Sequence, residues 1–112
     1  VSGTFWRPLP AHCPTSSVDF IHYHGDADQV VPLGGRPIKD AHQGDVGAAI
    51  ALLVEGGGYV ATAGDSDATL RCTAYRNAAD KRVELCLFDG GHMLDATHLA
   101  RAWRRLMQPA AR

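Results

Sequence analysis

The 112-residue chain is 46% hydrophobic and 21% charged, and its net charge at neutral pH is −1. Such a composition fits one small globular domain or a piece of a larger one, and without runs of like charge it gives no reason to expect nucleic acid or an anionic membrane as a partner. No apolar stretch approaches the ~20 residues that a membrane-spanning helix needs.

The amino terminus has neither an initiator Met nor the basic and then apolar pattern of a signal peptide. We therefore expect a processed, truncated or partial chain. Its composition divides it into an irregular, proline-rich first segment at 1–17, a structured part at 18–108 and a short tail at 109–112.

The first half of the chain predicts a strand, a long loop and a helix. Residues 18–24 are dense in β-branched and aromatic side chains, which predicts a strand covered on both faces in a mainly parallel sheet. Residues 25–44 are rich in Gly and Pro, and loops of this length usually carry function. Asp45 then caps a helix over 46–55, which the glycine run at 56–58 ends.

The second half predicts a hairpin and a final helix. Residues 59–69 are small and polar and are predicted to be a loop. Two strand-like runs, 70–76 and 82–88, are joined by five residues and predict an antiparallel hairpin. A last helix spans about 95–108. Because strands and helices alternate, the fold class is α/β with an open sheet.

The last helix is amphipathic. Its apolar side chains fall on one face and its arginines mostly on the other: Leu99, Trp103, Leu106 and Met107 against Arg101, Arg104 and Arg105. We expect Trp103 in the core. A chain with two or three strands has too few elements to cover both faces of a parallel sheet. We therefore also expect it to expose apolar surface or to associate.

The strongest local motif runs from His24 to Pro32 and reads HGDADQVVP. A glycine turn follows the first strand, and the carboxylate of Asp28 comes shortly after it. Catalytic groups of open α/β sheets gather at the carboxyl ends of strands, where a carboxylate can orient an imidazole. The alternative is a polar turn whose aspartates bond only to nearby backbone.

A second motif, Gly90-Gly91-His92, follows the last predicted strand. The two glycines allow a sharp turn and leave the imidazole uncrowded, and a histidine can act as general base and then as general acid. The alternative is a surface histidine, since the chain has six. Position favours the catalytic interpretation, because Asp28 and His92 both follow strands.

Together, H-G-x-x-D-x-x-V-P and the later G-G-H resemble the end of an α/β-hydrolase of the polyhydroxybutyrate depolymerase and feruloyl esterase type. The stretches 35–38 and 42–46 are also similar to this group, and the resemblance covers residues 16–107. It implies the C-terminal portion of an α/β-hydrolase sheet, incomplete in this chain. It also implies a serine esterase that needs no cofactor and acts on hydroxyalkanoate oligomers or short-chain and aromatic esters.

In this family the catalytic triad follows the order Ser, Asp, His. The resemblance gives Asp28 the role of the acid and His92 that of the base, with Asp26 as a rival acid that we expect to brace the turn instead. No G-x-S-x-G occurs, and none of the serines lies in such an elbow: Ser2, Ser16, Ser17 and Ser66. The nucleophile and the oxyanion hole are therefore expected outside this chain, which alone should be inactive.

Cys72 and Cys86 lie on opposite arms of the predicted hairpin, which favours a disulfide and a secreted or periplasmic location. Two buried thiols are the alternative. Cys13 is left over, with its partner open.

Two other hypotheses about function remain open. A metal site could be built from His22, His24 and His92, since the first two share one face of a strand. The chain could also be a non-catalytic fragment or interaction module. As partners we expect an ester substrate and either a missing N-terminal half of the fold or a second copy.

Overall fold

A computed structural model describes residues 1–14 and 17–108. The predicted tail at 109–112 and Ser16 lie outside the described residues. The elements, in chain order, are β1 (Phe20–Gly25), β2 (Pro37–Ile38), β3 (Ala41–His42), α1 (Val46–Gly56), β4 (Val60–Thr62), β5 (Arg71–Arg76), β6 (Arg82–Phe88) and α2 (Ala96–Met107). The predicted order of strand, helix, hairpin and helix is confirmed, and the fold is mixed α/β.

Four strands form one sheet in the order β1-β6-β5-β4. β1 and β6 are parallel, whereas β5 is antiparallel to both β6 and β4. The expectation of a mainly parallel sheet is therefore wrong. The second arm of the β5–β6 hairpin, rather than its first, lies against β1, so β1 and β6 form the single parallel pair of this sheet.

The helix α1 covers one face of this sheet. Asp45 caps its amino terminus by accepting a hydrogen bond from the Ala48 amide at 2.8 Å. Its buried Ile50 packs with Val83 of β6 and with Tyr59 in one of the two core clusters. This packing places α1 over β6.

The opposite face carries α2, but its orientation reverses the expected one. The residues that face the sheet recur at helical spacing: His98, Arg101, Ala102 and Arg105. The apolar face points outward, and Trp103 is 65% exposed. The prediction that Trp103 lies in the core is wrong.

The cause is a buried carboxylate in the central strand. Glu84 of β6 has no solvent exposure, and its two oxygens accept hydrogen bonds from Arg101 at 2.7 Å and from Arg105 at 2.6 Å. A buried charge needs a charged partner, so the arginines must face inward. The apolar side chains of α2 then lie on the surface: Leu99, Trp103, Leu106 and Met107.

Two regions predicted as loops contain short strands. The loop at 59–69 includes β4, which pairs with β5 although all three of its residues are exposed. The loop at 25–44 includes the small β2–β3 ribbon. All three strands are too short to produce a recognisable hydrophobic pattern. Within the described part of the chain, neither helix combines the length and the apolar character required to cross a bilayer.

The predicted disulfide between Cys72 and Cys86 is present. The two residues lie directly opposite each other in the β5–β6 register, with Cα atoms 4.1 Å apart, just below the usual range of about 4.4–6.8 Å. The bond closes the hairpin across its middle. Its presence fits the oxidising location that the cysteine pattern suggests.

We expect reduction of this disulfide to lower the free energy of unfolding by about 3 kcal/mol, because the bond restricts a loop of about 15 residues in the unfolded chain. Urea unfolding of the oxidised and the reduced wild-type chain measures the effect and keeps both sulfur atoms in place. A Cys72→Ala/Cys86→Ala variant serves as control, since it should not respond to reductant. Equal urea midpoints for oxidised and reduced wild type would contradict the prediction.

Candidate active site

Two loops leave the sheet side by side at the carboxyl ends of its parallel strands. Gly25, the last residue of β1, is paired in register with Phe88, the last residue of β6. The loops remain joined beyond the strands, because the Asp26 amide donates to the Phe88 carbonyl and the Ala27 amide to the Gly90 carbonyl, both at 2.9 Å. The acid-bearing and histidine-bearing loops therefore form one backbone unit.

Gly25 is required by this close approach. A Cβ atom at this position would lie 2.4 Å from the carbonyl oxygens of both Gly90 and Gly91. Backbone atoms cannot yield as a flexible side chain can, so any larger residue would separate the two loops. The close approach of the two loops thus explains why the H-G-x-x-D motif has a glycine at this position.

Asp28 is held by the backbone of its own loop. It is 4% exposed, and its Oδ1 atom accepts hydrogen bonds from the amides of Val30 at 2.9 Å and Val31 at 2.8 Å. Burial acts to raise the pKa of the Asp28 carboxyl, but hydrogen bonds from Val31, the His92 ring and Val30 outweigh it, so the pKa lies below its usual value. The group is a carboxylate at neutral pH.

His92 completes a dyad with this carboxylate. Its Nδ1 atom lies 2.9 Å from Asp28 Oδ2, within the hydrogen-bond reach expected from the sequence. A carboxylate can only accept, so Nδ1 carries the proton and Nε2, on the far side of the ring, offers a lone pair. The side chain of His92 is 42% exposed while that of Asp28 is fully buried.

Asp26, the rival acid, has a different partner. Its Oδ2 atom binds the Arg71 guanidinium at 2.8 Å, and its Oδ1 atom accepts from the Gly90 amide at 3.4 Å. Arg71 also binds Asp89, at 2.8 Å. Arg71 thus connects the turn after β1 with the turn after β6. The bond from the Gly90 amide matches the bracing role expected for Asp26, and Arg71 is a contact that sequence reasoning missed.

We expect Arg71→Gln to loosen the link between the two loops and to speed hydrogen exchange of the Ala27 and Gly90 amides several-fold. Because the ion pairs are more than half exposed on the arginine side, high salt should weaken them in the wild type as well. Amide exchange followed by NMR at low and high salt checks both effects. Arg76→Gln is the matched control, since Arg76 lies on the same strand but binds Asp80, which belongs to neither of the two loops. Equal exchange rates in the two variants would contradict the role of Arg71 in joining the two loops.

The environment of His92 includes a hollow of about 440 Å³ lined by Val1, Ser2, His92, Met93 and Leu94. Ser2 is the serine of this hollow, yet its hydroxyl donates to the Met93 carbonyl at 2.9 Å. Ser66, in turn, bonds to the backbone of Cys72. The hydroxyls of these two serines are thus committed to backbone groups rather than to the His92 ring.

The three histidines of the alternative metal site do not converge. His22 and His24 form a hydrogen bond with each other at 3.0 Å, while His92 is bonded to Asp28. Among the described residues, the one grouping of three potential metal ligands is Cys72, Glu84 and Cys86. Its sulfur atoms are joined in the disulfide and its carboxylate binds arginines, so these groups are poor metal ligands.

No protein-family model, curated protein or solved structure matches the chain. The resemblance to depolymerase-like esterases therefore rests on the sequence motifs alone, chiefly H-G-x-x-D-x-x-V-P and G-G-H. What they predicted together, a carboxylate and an imidazole at one edge of a sheet, lies together in the structure.

Proposed function

We propose that this chain contributes the Asp and the His of a Ser-Asp-His triad to a carboxylic-ester hydrolase of the α/β-hydrolase class, similar to polyhydroxybutyrate depolymerases and feruloyl esterases. The observation that carries the proposal is the 2.9 Å hydrogen bond between Asp28 Oδ2 and His92 Nδ1 at the carboxyl ends of adjacent parallel strands. Three-residue triads of this kind work at such strand ends.

In the proposed reaction, His92 Nε2 takes the proton of a serine hydroxyl as that oxygen attacks the ester carbonyl. The resulting imidazolium is stabilised by the Asp28 carboxylate, which also holds the proton on Nδ1. The tetrahedral intermediate then collapses, and His92 returns the proton to the leaving alcohol. Water repeats the sequence on the acyl-enzyme and releases the acid.

The nucleophile belongs to polypeptide outside these 112 residues in this proposal, because the sequence has no G-x-S-x-G. That polypeptide would also bring the amides of the oxyanion hole. The hollow beside His92 has apolar walls from Val1, Met93 and Leu94, which suits the apolar part of an ester such as a hydroxyalkanoate oligomer or a short-chain or aromatic ester. The triad chemistry requires no cofactor. The disulfide supports a secreted or periplasmic location.

The second candidate is an interaction module without catalysis. It is favoured by the missing nucleophile and by the outward-facing apolar side of α2, with Trp103 exposed. In this case Asp28 and His92 would only join two loops, and their replacement would affect stability alone.

Hydrolysis of a short-chain nitrophenyl ester separates the two candidates. We expect the full-length gene product to hydrolyse it, its His92→Ala variant to lose nearly all activity, and the 112-residue chain alone to be inactive. A His98→Phe variant controls for a change at another histidine of the same fold. A folded full-length product that is inactive, or one whose activity survives His92→Ala, would refute the esterase proposal.

A further inference from the structure

Behind the Asp28–His92 dyad lies a pair of buried histidines that the triad mechanism does not use. His22 and His24 both lie on β1 and are 7% and 0% exposed, respectively. His24 Nδ1 is 3.0 Å from His22 Nε2, and His24 Nε2 is 2.7 Å from the Val31 carbonyl oxygen and 3.5 Å from Asp28 Oδ2. The pair therefore reaches the loop that holds the acid.

The partners of these rings fix where their protons lie. A carbonyl oxygen can only accept, so the short contact with Val31 requires a proton on His24 Nε2. Nδ1 of a neutral His24 is then an acceptor, and the contact at 3.0 Å requires a proton on His22 Nε2. The donors run in one direction, from His22 to His24 and on to the Val31 carbonyl.

His22 can act as this donor while neutral. Its burial, followed by the positive amino terminus and by His24, lowers the pKa of His22 to about 4. At neutral pH the ring therefore has one proton. The direction of the hydrogen bonds assigns that proton to Nε2.

The backbone of Val31 connects this pair to the acid through the two peptide groups on either side of its Cα atom. Its carbonyl oxygen accepts from His24, while its amide donates to Asp28 Oδ1 at 2.8 Å. The neighbouring Val30 carbonyl is held in a similar way by Arg36 at 2.8 Å and Gln43 at 3.1 Å. Asp28 Oδ1 is bound to the backbone amides of Val30 and Val31, and this leaves Oδ2 directed at His92.

We propose that His24 is a positioning residue for the Asp28–His92 dyad, and that His22 keeps it in the tautomer that can bind Val31. This inference rests on the proposed function, since it gives these histidines a role in orienting the catalytic base. His24 does not contact the reacting atoms; it acts through the backbone of Val31 and through Asp28. Loss of the His24 donor frees the loop, and the carboxylate then no longer imposes one tautomer on His92.

Ring ¹⁵N NMR of the 112-residue chain labelled at histidine tests this directly. The wild type should show His24 protonated at Nε2 and His92 protonated at Nδ1, with the His24 Nε2 proton shifted downfield and slow to exchange. His24→Phe should convert the single Nδ1–H form of His92 into a mixture of both tautomers. His24→Gln should restore the single form, because its amide can still donate to Val31.

His98→Phe is the matched control. His98 is also a buried ring, but it stacks on Tyr23 and packs at a tilt against Phe88 on the other face of the sheet. This variant should leave the Nδ1–H form of His92 intact even if it lowers stability. An equal loss of that form in both variants would show a general packing effect and overturn the inference.

Two further outcomes would also overturn it. The first is a folded His24→Phe chain in which His92 remains entirely in the Nδ1–H form. The second needs no variant to fold: a wild-type His24 that carries its proton on Nδ1 is incompatible with the contact to Val31. Asp28→Asn separates this inference from the proposed function. If Asp28→Asn leaves the His92 tautomer unchanged, the dyad itself is refuted, whereas a change with Asp28→Asn but not with His24→Phe refutes only the role of His24.

Discussion

Asp28→Asn is expected to lower kcat for ester hydrolysis by the full-length gene product by a factor of about 10³–10⁴. The reason lies in the two amides that bind Asp28 Oδ1. The Val30 and Val31 amides need an acceptor, so the asparagine oxygen will occupy the Oδ1 position and its NH₂ group will face His92. A donor opposite Nδ1 forces the imidazole proton onto Nε2, which then cannot accept the proton of the nucleophile.

The measurement is steady-state hydrolysis of a nitrophenyl ester by folded protein, with the unfolding midpoint of each variant as a check. Asp26→Asn is the informative comparison, because Asp26 is the rival acid and shares the same turn. It should cost far less activity than Asp28→Asn, since its carboxylate binds Arg71 and Gly90 rather than His92. The reverse order of the two losses would identify Asp26 as the acid and contradict the dyad.

Glu84→Gln is expected to lower the free energy of unfolding by about 3–5 kcal/mol, the usual cost of removing one partner from a buried ion pair. Glu84 is fully buried and accepts hydrogen bonds from Arg101 and from two nitrogens of Arg105, at 2.6 and 2.9 Å. A neutral amide leaves two guanidinium groups beneath α2 without their buried anion, and only the exposed Asp65 carboxylate still pairs with them. Urea unfolding monitored by circular dichroism gives the value.

Asp65→Asn provides the matched control for this prediction. Asp65 binds the same two arginines, but its side chain is 68% exposed, so its loss should cost no more than about 1 kcal/mol. A triple replacement of Glu84, Arg101 and Arg105 by apolar residues of similar volume should recover most of the stability. Similar costs for Glu84→Gln and Asp65→Asn would show that the burial of Glu84 contributes little.

The elements with strong local signals were predictable from the sequence. The dense run of β-branched and aromatic residues identified β1, and Asp45 and Asp95 marked the starts of both helices, where the structure has them as caps. The spacing of Cys72 and Cys86 across the hairpin identified the disulfide. In each case the information lies within a few residues of the element that it specifies.

The orientation of α2 shows where local patterns stop being sufficient. Its periodicity separates an apolar face from an arginine face, but it does not say which face meets the sheet. That choice depends on Glu84, a charged residue inside an otherwise apolar strand. An isolated glutamate in such a strand is a signal for inward-facing cations, and it could have corrected the position of Trp103.

The residues of the site also fall into those that the sequence predicts and those that only the fold reveals. Asp28 and His92 were identified because glycine-rich turns after strands are visible in sequence, and because the motifs resemble those of a known family. Arg71 has no such motif; it reaches Asp26 and Asp89 only because β5 lies beside β6. The pairing of His22 with His24 follows from strand periodicity, but the contact of His24 with Val31 depends on the path of the loop.

The strands β1 and β6 end at the same register position, where Gly25 is paired with Phe88. The alignment of the acid with the base therefore depends on the pairing of these two strands. A slip of one residue between these strands would displace one loop by about 3.3 Å, more than the length of the bond between Asp28 and His92. It would also turn every side chain of the slipped strand to the other face, taking Glu84 away from its arginines. The connection at 77–81 lies at the far end of the hairpin, so its length could vary among functional versions of this chain while the spacing of the two loops stays constant.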